Sequence, residues 1–81
     1  MAIYVVEMRR TVGSYKTIGA AYNLKKATEI FEEAKKNNGF GQGRPEVLHM
    51  TEKQKLMEPF VKKWAKVGST HDNIIIRIRE V

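Results

Sequence analysis

The 81-residue sequence contains no cysteine, only two prolines and one tryptophan, and nine acidic residues against fifteen lysines and arginines. Without cysteine there is no disulfide framework, no thiolate metal site and no cysteine nucleophile, which removes three common ways of stapling or activating a small domain. A reducing, cytoplasmic setting suits such a chain. No apolar run approaches the roughly 18–20 residues that span a bilayer, so no membrane is expected among its partners. The chain reaches Glu7 within its first residues, with no basic stretch followed by a long apolar one, and no cleaved signal is expected. The two histidines stand at no recognisable ligand spacing, so neither a metal nor another cofactor is expected.

What is present is positive charge. The chain nets +6, and the excess is spread evenly, with +3 carried by residues 1 to 40 and +3 by residues 41 to 81. That balance favours an anionic partner, either nucleic acid or an acidic protein surface, and gives no basic tail to act as a disordered arm. A chain this short buries only roughly 60–65% of the surface its unfolded form exposes, which fits one compact domain over residues 1–81 with a thin core.

The hydrophobic pattern gives the elements. In residues 3 to 9, Tyr4, Val6 and Met8 alternate with Ile3, Val5, Glu7 and Arg9, as in a strand. A polar stretch with Gly13 leads to a second alternating run, Tyr15 to Tyr22, so a hairpin is expected, with Gly19 marking a bulge or a close helix approach. Asn23 is a good N-cap, and Leu24, Ala27, Ile30, Phe31 and Ala34 fall on one stripe of a helix ending at Asn37-Asn38-Gly39. Residues 46 to 50 suit a brief strand. Thr51-Glu52-Lys53-Gln54 matches a capping box, and Leu56, Phe60 and Trp64 recur at helical spacing up to Gly68, predicting a second amphipathic helix. Pro59 opposes it, because an interior proline costs about 3 kcal/mol, so a kink, a break or a strand pair are the alternatives there. A terminal strand from Ile74 points Ile74, Ile76 and Ile78 inward and Ile75, Arg77 and Arg79 the other way. The order ββα(β)αβ predicts an α+β domain, a small antiparallel sheet of three to four strands with one or two helices packed on one face and the other face open.

Three places could carry function. The first is the loop Gly39-Phe40-Gly41-Gln42-Gly43, whose amides could wrap an anion with Lys35, Lys36 and Arg44 beside them. It follows a helix instead of opening one, so it is not a nucleotide fingerprint. Gly39-Phe40-Gly41 resembles the centre of the RNP1 segment of the RNA-recognition motif, over three residues only, and departs from it at Gln42, Gly43 and Pro45. The second place is the uncovered sheet face, where Arg9, Lys16, Arg77 and Arg79 with Tyr15 would form a basic, partly aromatic platform of the kind single strands use. Against it stands an ordinary cross-strand ion pair with Glu7. The third is the basic segment from Lys53 to Lys66, whose Met57, Phe60 and Trp64 suit a membrane surface, a partner's groove or, more simply, the core.

A short, cysteine-free chain of hairpin, helix and basic second half is similar to many small accessory proteins of phages and mobile elements, a likeness that implies binding and blocking a host macromolecule. The leading expectation is a non-enzymatic basic binding module for nucleic acid or a nucleoprotein complex, using Arg9, Lys16, Lys35, Lys36, Arg44, Arg77 and Arg79. The alternative is a protein-interaction or inhibitor domain that meets an acidic partner surface through Tyr15, Phe40, Trp64 or a strand edge, and a homodimer through such an edge fits either. A third reading, a small ribonuclease, would need His49 and His71 to converge on one phosphate.

Overall fold

A computed structural model describes residues 2–81, in which β1 (Tyr4–Arg10), β2 (Lys16–Ala21), α1 (Leu24–Asn37), β3 (Glu46–Val47), α2 (Glu52–Met57), β4 (Val61–Gly68) and β5 (Asn73–Glu80) follow in order. The strands form one antiparallel sheet in the order β2-β1-β5-β4-β3, so the class is α+β, with five strands where the sequence suggests three to four.

α1 begins where Asn23 offers its side-chain oxygen to the Lys26 amide at 2.8 Å, and its Ala27, Phe31 and Ala34 are buried over β1, β2 and β5. Val6, Ile74, Ile76 and Ile78 form the sheet's side of that core, with Ala65 and Val67 from β4. The approach is closest at Gly19, where a Cβ would lie 2.7 Å from Ile30 Cγ2, so β2 needs a residue without a side chain there. The bulge expected near Gly19 is also present, opposite the step from Val6 to Glu7.

The second predicted helix is largely a strand. The capping box of Thr51 and Gln54 forms in both directions, but α2 ends at Met57, and no residue of it is buried. Leu56 is 82% exposed and Phe60 43%, so the spacing of Leu56, Phe60 and Trp64 does not describe a buried stripe. Pro59 stops the helix, and β4 then pairs with β5 along its length. The physical reason lies in β5, where Asn73, Ile74, Ile75 and Ile76 are all buried, the signature of a central strand that needs a neighbour on each side. β1 supplies one neighbour and β4 the other.

The face away from α1 is not open throughout. A bulge between Val61 and Lys63 brings Val61 to the side of Trp64, and these two pack with Ile75, Tyr15 and Met50 into a second, smaller core. The chain from Met50 to Phe60 therefore passes over this side of the sheet.

Candidate interaction surfaces

On the sheet face expected to present a basic platform, two of the three arginines are neutralised internally, by Glu7 and Glu58. Glu7, only 6% exposed, lies directly opposite Arg77 across the β1–β5 ladder, with Arg79, opposite Val5, as its diagonal neighbour on the same face. Glu7 Oε1 accepts from Arg77 Nε at 3.1 Å and from Arg79 Nε at 3.1 Å, and Oε2 accepts from Arg79 Nη2 at 3.3 Å. Glu58, just after α2, takes Arg77 Nη1 at 2.9 Å. Burial alone would raise the Glu7 carboxyl, but the hydrogen bonds and charges of Arg79 and Arg77 outweigh it and hold the group below its ordinary range.

Tyr15 lies over the same face, with the Arg77 guanidinium 3.8 Å and the Arg9 guanidinium 5.2 Å from its ring centre. Burial raises the Tyr15 phenol above its ordinary value, only partly offset by those two arginines. The ring is thus already in contact with the chain's own cations. Arg9 Nε has no hydrogen-bond partner among the described residues, and its guanidinium is the least engaged of the three.

Lys16 does not belong to this platform. It pairs with Met8, whose side chain packs in the core under α1, and cross-strand partners share a face. The shift of register between Val6 and Glu7 changes the parity along β2 and puts Lys16 on the helix side of an edge strand.

The glycine loop has already closed on an anion of its own. Gly39, Gly41 and Gly43 all take positive φ, and the Gly41 amide donates to Glu46 Oε2 at 2.6 Å. Arg44 lies against Gly39 and Gly68, bridging the loop to the end of β4. Phe40, expected as an exposed anchor, is 7% exposed and part of the main core. Lys35 pairs with Glu32 at 3.3 Å and sits over the Phe31 and Phe40 rings, while Lys36 is exposed on α1.

The histidines of the ribonuclease reading are not assembled together in a cleft. His49 follows β3 and lines the groove described below, whereas His71 is in the β4–β5 turn and does not. That turn is closed by the Ser69 amide donating to Asp72 O at 2.9 Å and the Asp72 amide donating to Ser69 Oγ at 3.0 Å. Among the described residues no group of three or more His, Asp or Glu is placed to hold a metal ion, and no helix is long and apolar enough to cross a membrane.

The structure assembles one surface that sequence reasoning did not. β3 covers only the end of β4, pairing Glu46 with Val67 and Val47 with Lys66. Beyond that point a groove of about 420 Å³ opens between the flank of α1 and β4. Phe31, Leu48, Met50 and Trp64 contribute its apolar walls, and Lys35, Lys55, Lys62 and Lys63 stand around it. Trp64 is 9% exposed, so it shapes the wall without standing clear as an anchor. Lys62 reaches Glu80 at 3.5 Å and Lys55 reaches Glu52 at 3.6 Å, both on exposed side chains, while Lys63 has no ion-pair partner among the described residues. The run of lysines in residues 62 to 66 is visible in the sequence, but the helix that the local spacing predicts there would disperse it.

A second depression, beside β2, is lined by Met8, Ile18 and Ile30, with Glu29 and Glu33 of α1 on its flank. Compared with protein-family models, curated proteins and solved structures, the chain matches none.

Proposed function

We propose that this protein is a non-enzymatic interaction module that binds an acidic segment of a protein partner in the groove beside β4. The observation that carries this reading is the convergence of Lys55, Lys62 and Lys63, with Lys35 paired to the groove's single carboxylate Glu32, on walls that include Phe31, Leu48, Met50 and Trp64. Apolar walls give contact area, and the surrounding ammonium groups give attraction and choice of partner.

The charge pattern elsewhere supports a protein partner ahead of nucleic acid. A single-strand platform needs free cations and free aromatic faces. Here Arg77 and Arg79 are tied to Glu7, Tyr15 is already engaged by Arg77, and Phe40 and Trp64 are buried.

The test compares a labelled glutamate-rich peptide with single-stranded RNA, single-stranded DNA and duplex DNA by fluorescence anisotropy, at about 50 and about 200 mM salt. The expected result is peptide binding that Lys55→Glu/Lys63→Glu removes and Lys25→Glu/Lys26→Glu, with the same change in net charge on α1, retains. Oligonucleotide binding that falls steeply with salt, with no peptide binding, would reverse the reading in favour of nucleic acid.

A further inference from the structure

The part of β4 beyond the last β3 pair is more than a charged wall, because its main chain has no backbone partner on the β3 side among the described residues. Gly68 donates its amide to Pro45 O at 2.9 Å, so the Gly68 main chain faces the β3 side of β4. Along a strand, alternate residues turn their N–H and C=O to the same side. Lys66, opposite Val47, therefore also faces β3, and Trp64, two residues earlier, faces the same way beyond the last β3 pair. Among the described residues no backbone group meets Trp64 there. This unpaired main chain at Trp64, next to the bulge between Val61 and Lys63, lies along the groove that the lysines and Glu32 line.

We propose that an extended acidic segment of a partner protein adds to the sheet as a strand on this open stretch of β4, in the row that β3 leaves empty. The inference rests on the acidic-partner reading above and specifies its mode. Three observations select this occupant. An unpaired strand edge offers hydrogen bonds at peptide spacing, which an extended peptide matches and a phosphodiester chain does not. Lysines beside an edge repel a second copy of the same edge, the usual protection against self-pairing, so charge complementarity favours an acidic guest over this chain itself. Successive side chains of an added strand would alternate between the two sides of the sheet. Acidic ones would meet Lys63 on the α1 side, where it stands beside Ile78 in the register, and apolar ones would meet Trp64 and Met50 on the other.

The test uses a capped seven-residue peptide alternating Glu and Val, and two analogues N-methylated at alternate amides, one at the Glu positions and one at the Val positions. Only one set of alternate amides in an added strand faces β4. Strand addition therefore predicts that one analogue binds like the parent and the other about tenfold or more weaker, through lost hydrogen bonds and a methyl group at the interface. It also predicts that the Trp64 backbone amide gains protection from hydrogen exchange when the unmodified peptide binds. Equal binding of all three peptides with unchanged Trp64 exchange would overturn strand addition and leave the acidic-partner reading in place. Failure of the unmodified peptide to bind at about 50 mM salt would overturn both.

Discussion

The guanidinium groups on the sheet face and the ammonium groups around β4 carry the same charge, but their surroundings differ. Arg77 and Arg79 lie beside a carboxylate that is almost out of water, and their planar donors are held by it at fixed geometry. Lys55 and Lys63 stand in solvent at the rim of a groove, with at most a long, exposed ion pair. Cations of the first kind hold the fold together and have little left to offer a partner. Those of the second contribute little to stability and remain free to bind. Counting positive charges therefore overstates the binding surface, and burial of the counter-charge is what separates the two groups.

The largest expected effect comes from removing the buried charge. Glu7→Gln leaves Arg77 and Arg79 without their shared carboxylate and is expected to cost about 3 kcal/mol, the lower end for breaking a buried pair, since Arg79 reaches water and Arg77 keeps Glu58. Urea denaturation of the variant measures it, and a loss near zero would mean that the network is not structural.

Acid should dissolve the same network. With its folded pKa below the ordinary 4.5, Glu7 contributes stability that is fully present above about pH 4.5 and is lost as pH falls through the folded value. Denaturation midpoints measured from neutral pH down to about pH 3 should show that decline, and Glu7→Gln should flatten it. A variant that keeps the full slope would assign the decline to other carboxylates.

Smaller effects are expected where nothing is buried. Thr51→Ala removes the hydroxyl that accepts from the Gln54 amide, one half of the capping box on α2, and should weaken that helix by about 1 kcal/mol. Because no residue of α2 is buried, hydrogen exchange should quicken in residues 52 to 57 while β5 keeps its protection. Smallest of all for stability is Lys55→Glu/Lys63→Glu, expected to change it by about 0.5 kcal/mol or less while abolishing binding of the acidic peptide. A large loss of stability would place these lysines with the structural cations.

The elements most legible in the sequence were those whose local signals agreed. Asn23 followed by the stripe of Ala27, Ile30, Phe31 and Ala34 gave α1, and the alternation of Ile74, Ile76 and Ile78 with Arg77 and Arg79 gave the two faces of β5. The Glu7 pairing with Arg77 or Arg79 was already present as the bland alternative to a basic platform. Residues 61 to 68 were misread because local spacing there argued for a helix while the need for a partner along β5 argued for a strand, and only the second involves residues distant in sequence. Lys16 was placed on the wrong face because the shift of register between β1 and β2 is invisible in an alternating pattern. Phe40 sits in a glycine-rich loop, and its burial depends on α1 returning the chain to the core.

Composition and local pattern alone determined the α+β class, the position and cap of α1, the capping box at Thr51 and the positive excess, since each depends on neighbours within a few residues or on none. Tertiary structure decided which cations are neutralised, which rings are enclosed and where the sheet keeps an open edge. Those outcomes follow from pairing residues 70 or more positions apart, as in Arg77 with Glu7, and from a β3 too short to cover β4.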